Sequence, residues 1–149
     1  MGLFDRVRSR SRSREGGVGV FVDGPNVLRE EFDVDLDDVR ALAAEQGPVR
    51  VARLYLDENA PANLIRAGEE RGFEVTVTSG DVDVRLAVDA TAAAVREALG
   101  TLVVVSRDSD FKPVLEAAAE RGVETVALAP GEYGRSDALR NAAQRSLTL

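Results

Sequence analysis

Short apolar runs alternate along this chain with longer stretches in which apolar residues return every three or four positions. The first kind suits strands buried on both faces, the second suits helices that bury one side. Residues 18–22 form an apolar run ending at Asp23 and predict a central strand. Residues 36–46 carry helical spacing (Leu36, Val39, Leu42, Ala43) and stop at Gly47. The same reading gives strands at 49–56, 73–77, 101–105 and 123–128, and helices at 60–71, 83–99, 109–121 and 136–144. Gly72, Gly100 and Gly122 punctuate the ends of three of those helices, and a short apolar tail closes the chain.

Strands alternating with helices predict an α/β fold of three layers, α/β/α, around a parallel sheet of about five strands. The runs at 18–22 and 103–105 are the most apolar, so their strands belong side by side in the middle. Winding outward in both directions from there gives the order 3-2-1-4-5. Ligands of such sheets bind at the carboxyl ends of the strands, where the order reverses, here between strands 1 and 4.

The chain has 149 residues, a length that suits one domain. Residues 1–17 stand apart as an Arg/Ser-rich tail, expected to be disordered, and 18–149 form the folded domain. The tail carries five arginines against Asp5 and Glu15, so its charge is about +3. With a formal net charge of -7 overall, about -10 remains on the body. The tail reads first as a solvated segment, with an RNA-binding arm as the alternative. Lys112 is the lone lysine; arginine supplies every other basic side chain.

The chain contains no His, Cys or Trp. That excludes Ser-His-Asp and Cys-His catalysis and removes the usual zinc ligands. Any enzymatic chemistry therefore falls to carboxylates, working with an oxygen-preferring cation such as Mg²⁺ or Mn²⁺. The absence of cysteine, of an apolar leader and of a membrane-length run leads to the expectation of a cytoplasmic protein that does not engage a membrane.

Three acidic groups are expected at the switch point. Strand 1 ends in Asp23-Gly24-Pro25-Asn26, strand 4 in Ser106-Arg107-Asp108-Ser109-Asp110, and Asp81-Val82-Asp83 precedes the third helix. Converging carboxylates repel one another, and a divalent cation relieves that conflict while clamping phosphate oxygens and acidifying water. Asn26 suits holding a water or ligand without adding charge, and Arg107 and Lys112 lie near enough in sequence to neutralise a phosphate. Each group has a plain alternative: turn chemistry for 23–26, helix capping for Asp108 and Asp83, solvated charge for Asp81. Asp89 lies six residues beyond Asp83, on a different helix face, and serves equally well as a partner for Arg85.

The segments VFVDGPN at 20–26, VDVRLAVDA at 82–90 and SRDSDF at 106–111, in this order, resemble the NYN domains of the PIN-like nuclease superfamily. The resemblance covers residues 18 to about 130 and implies a PIN-like α/β/α fold, Mg²⁺ or Mn²⁺ binding and cleavage of RNA. Carried onto this chain, it places Asp23, Asn26, Asp83, Asp108 and Asp110 in the catalytic set, with Asp89 as a further metal ligand. Two positions depart from the family's usual pattern: Gly80-Asp81 stands where a basic residue is common, and Arg107 where glycine is common. The expected partner is RNA, with a homodimer left open. A catalytically weak or inactive RNA-binding or regulatory module is the alternative. A receiver-like signalling domain would need a lysine ending strand 5, and a dehalogenase-type phosphatase an acid at position 25; neither is present. A Toprim-type module would begin with Glu where Asp23 stands.

Overall fold

The computed structural model describes residues 16–29, 33–131 and 136–149. The arginine-serine tract through residue 15 lies outside them. The chain enters the sheet at Gly17, whose carbonyl accepts from the N–H groups of Gly100 (2.9 Å) and Thr101 (3.1 Å).

Six strands form one sheet: β1 (Val18–Asp23), β2 (Val49–Asp57), β3 (Glu74–Thr78), β4 (Thr101–Val105), β5 (Glu124–Ala129) and β6 (Arg145–Thr148). All neighbours run parallel, in the order β3-β2-β1-β4-β5-β6. β1 and β4 are buried along their whole length, as expected of central strands covered on both faces. The sixth strand is the one departure from the expected sheet. Its four residues, mostly exposed, carry no period of their own, and pairing with β5 makes them a strand.

The helices are α1 (Gly24–Val27), α2 (Leu36–Glu45), α3 (Ala62–Glu70), α4 (Val82–Arg96), α5 (Lys112–Glu120) and α6 (Asp137–Ala142). Strand side chains alternate between two apolar layers. Phe21, Tyr55, Leu102, Val104 and Ala127 pack with Leu86, Ala90, Leu115 and Leu139 of α4, α5 and α6. Val20, Val22, Leu54, Val103 and Val105 pack with Val27, Leu36, Val39 and Ala43 of α1 and α2. The three-layer α/β/α arrangement follows.

Helix ends follow local chemistry. The Asp35 side chain accepts from Asp37 N–H at 2.8 Å and opens α2. Gly72 (φ 84°) and Gly122 (φ 79°) take the left-handed positions after α3 and α5. After α4 that position falls to Ala98 (φ 50°), and the helix ends earlier than Gly100 suggests. α4 also shows solvent an apolar stripe of Val84, Val88 and Val95. No helix among the described residues is long and apolar enough to cross a membrane.

α1 sits so close to β2 that a Cβ on Gly24 would lie 2.4 Å from the Tyr55 carbonyl oxygen and 2.5 Å from Leu56 Cδ2. Helix propensity favours alanine over glycine by about 1 kcal/mol, but an overlap with backbone cannot relax cheaply. Gly24→Ala is therefore expected to destabilise by about 1–3 kcal/mol in urea unfolding. Gly131→Ala, where a Cβ meets nothing within 4 Å, should stay within about 0.5 kcal/mol of the parent.

Candidate metal centre

β1 and β4 end side by side, with Val22 opposite Val105, so Asp23 and Ser106 leave the sheet together. Asp23 is the last residue of β1 and is only 4% exposed. Its carboxylate accepts from Ser106 Oγ at 3.1 Å. Burial pushes its pKa from 3.8 up to about 6; the Ser106 hydrogen bond opposes the rise, and the charges of Asp108 and Asp83 add to it.

The loop after β4 is shaped by its own side chains. Asp108 N–H donates to Ser106 Oγ (3.0 Å) and Asp110 N–H to Asp108 Oδ1 (2.9 Å), which folds residues 109–111 into a short 3₁₀ turn ahead of α5. Asn26 Oδ1 accepts the Arg107 N–H at 2.9 Å and ties α1 to this loop. On the other side, Gly80 (φ 76°) and Asp81 (φ 51°) are both left-handed and turn the chain sharply into α4. That turn brings Asp83, in the first turn of α4, to the crevice, where the helix N-terminus favours its negative charge.

Carboxylate oxygens of Asp83, Asp108 and Asp110 lie within 4.8 Å of one another. Oxygen ligands of one ion, bound at 2.0–2.6 Å, lie up to roughly 4–5 Å apart, so the set fits a hard divalent cation. Asp23 and Asn26 adjoin it in a groove of about 330 Å³, also lined by Pro25, Arg29, Asp57, Asp81, Asp83 and Asp108. A larger cavity of about 630 Å³ lies at the amino ends of the strands, around Gln46, Pro48, Glu124 and Arg145, away from these acids.

Three expected residues are placed differently. Asp89 does not join the cluster; it accepts from Tyr55 Oη at 2.9 Å and from Arg85 Nε at 3.0 Å, with Arg53 at 3.8 Å. Six residues along a helix turn a side chain by roughly 120°, which directs Asp89 toward β2 instead of the crevice. Burial and the Asp89 carboxylate hold the Tyr55 hydroxyl well above its usual range. Arg107 is half-buried with its Nε inside the protein, and Lys112 is exposed at the start of α5; neither lines the groove. Conversely, Asp57 and Arg29 line the groove without having been singled out in the sequence. Asp57 could have been found as the acid ending the strand beside β1, whereas Arg29 carries no sequence signal.

The NYN domain family matches residues 17–149, and the chain belongs to that family, within the PIN-like superfamily. An uncharacterized protein of Methanocaldococcus jannaschii is 40% identical over 143 residues, which cover 95% of this chain and 59% of that protein. The chain thus spans about three-fifths of that relative's length. A crystal structure of a protein of unknown function from Vibrio parahaemolyticus shares the fold, with a TM-score of 0.77 at 21% identity, covering 89% of this chain and 92% of that one.

Two outcomes are expected. Between pH 3.8 and about 6 the folded chain keeps a proton on Asp23 that the unfolded chain has released. Stability of the metal-free protein is then full below that window and falls as pH rises through it, by on the order of 1–3 kcal/mol. Urea unfolding across this range should show the slope, and Asp23→Asn should flatten it. Asp89→Asn should leave Mn²⁺ affinity in calorimetry within about twofold of the parent while lowering the unfolding midpoint, since it weakens a partner of a buried tyrosine.

Proposed function

We propose that this chain is a metal-dependent ribonuclease that hydrolyses RNA phosphodiester bonds, cutting within the strand. One observation carries the reading: carboxylates from two separate segments, Asp83 from α4 and Asp108 and Asp110 after β4, meet within 4.8 Å at the switch point of the sheet. Capping of the 106–111 turn accounts for Asp108 lying near Asp110 but not for the approach of Asp83 from α4, which costs repulsion that a divalent cation removes. The nuclease-type fold of the NYN family and the action of its nuclease domains on RNA support the same assignment.

Asp83, Asp108 and Asp110 would hold Mg²⁺ or Mn²⁺, with Asp23 adjoining them from the floor of the groove. When bound, such an ion supplies positive charge to the phosphate and acidifies water. The chain's own residues prepare the place. Ser106 fixes the Asp23 carboxylate, Asn26 fixes the backbone of the loop that presents Asp108, and the α4 N-terminus steadies Asp83. Burial raises the Asp23 pKa to about 6 in the metal-free chain, and a divalent cation beside it would favour the charged carboxylate.

The test is incubation of the full chain with a labelled structured RNA in Mn²⁺, in Mg²⁺ and in EDTA, beside Asp108→Asn. Cleavage is expected with either ion, to vanish in EDTA, and to fall by at least about a hundredfold in the variant. Ion binding that Asp108→Asn abolishes, without cleavage by the parent chain, would reduce the domain to a metal-binding module. Absence of ion binding would remove the proposed centre altogether.

A further inference from the structure

Building on the nuclease reading, we infer that Arg29 is the residue that grips the RNA backbone in the acidic groove, in the role the sequence suggests for Arg107 and Lys112. The groove is lined by the carboxylates of Asp23, Asp57, Asp81, Asp83 and Asp108, with Arg29 among them. A phosphate entering such a place meets repulsion from each ionised carboxylate. A divalent ion on Asp83, Asp108 and Asp110 offsets part of it. Asp57 and Asp81 also line the groove but lie outside that ligand set, so a cation supplied by the protein would help to hold the strand.

Arg29 meets the geometric demand. It follows α1 directly, and the Leu28 N–H closes that helix onto Gly24 O at 2.8 Å. The same four-residue helix begins after Asp23 and contains Asn26, which is bonded to Arg107 N–H. The backbone under Arg29 is thus tied to the ends of both central strands, while its side chain is exposed at the groove. A guanidinium presents two parallel N–H donors to two phosphate oxygens, a match that a point charge cannot reproduce. Arg107 instead has its Nε buried, and Lys112 opens α5 outside the groove.

The experiment measures anisotropy of a fluorescein-labelled single-stranded oligoribonucleotide with the full chain, in Mn²⁺ and in EDTA, over a series of salt concentrations, with Mn²⁺ readings taken before the strand is cut and cleavage followed in parallel on a gel. Parent, Arg29→Ala and Arg29→Lys are compared, and Mn²⁺ affinity is read separately by calorimetry. Arg29→Ala is expected to weaken RNA binding about tenfold or more. Its salt slope should be shallower by about 0.7, one contact's share on a single strand. Mn²⁺ affinity should stay unchanged, and Arg29→Lys should recover the slope but only part of the affinity. Unchanged RNA affinity and slope in Arg29→Ala overturn the assignment, as does a parallel loss of Mn²⁺ binding or a parent chain that binds no RNA. A parent that binds RNA through Arg29 without cutting it keeps the grip and sinks the nuclease reading. An Arg29→Ala variant that binds and cuts RNA as well as the parent does the reverse.

Discussion

The Asp23 carboxylate lies almost wholly inside the protein at the end of the central strand, and one serine hydroxyl reaches it from the loop that follows the neighbouring strand. Burying that group is unfavourable for its charged form, as its raised pKa shows. The surroundings manage the cost in different ways. Ser106 is used twice, donating to Asp23 and accepting from Asp108 N–H, so the loop that presents Asp108 is built around the hydroxyl that holds Asp23. Asn26 braces the same loop from α1. The backbone geometry of the site is therefore set by the same bonds that make the buried acid tolerable.

The sheet was largely legible in the residues alone. Runs such as 18–22 and 101–105 can hardly be other than strands buried on both faces, and the alternation with helical stretches leaves a parallel sheet as the natural solution. β6 was not legible, because its pairing with β5 supplies the order that its own residues lack. α4 ends at Arg96 and not at residue 99, because Ala98 adopts the left-handed conformation that glycine was expected to provide at position 100. Positions of acids at strand ends were readable. Which side chain faces which way in the 106–111 turn was not, since hydrogen bonds within that turn decide it.

That limit separates Asp83 from Asp89. Both sit on α4 and both match the family's acids, yet one faces the crevice and the other is committed to Tyr55 and two arginines. The second arrangement pins α4 to β2 through a partly buried network, which gains strength from its low-dielectric setting. It also lies on the same helix that delivers Asp83, so the anchoring of the helix and the delivery of the acid are separate duties of one element.

The Ser106–Asp23 bond joins residues 83 positions apart. On a ribosome, β1, β2 and β3 emerge long before β4, so for much of synthesis one flank of β1 has no neighbour and Asp23 has no hydroxyl to meet. Contacts of such separation form late and slowly. Half-made chains therefore hold the first acid of the centre without the last ones, and any capacity to engage a polyanion through that centre arises only with the completed sheet.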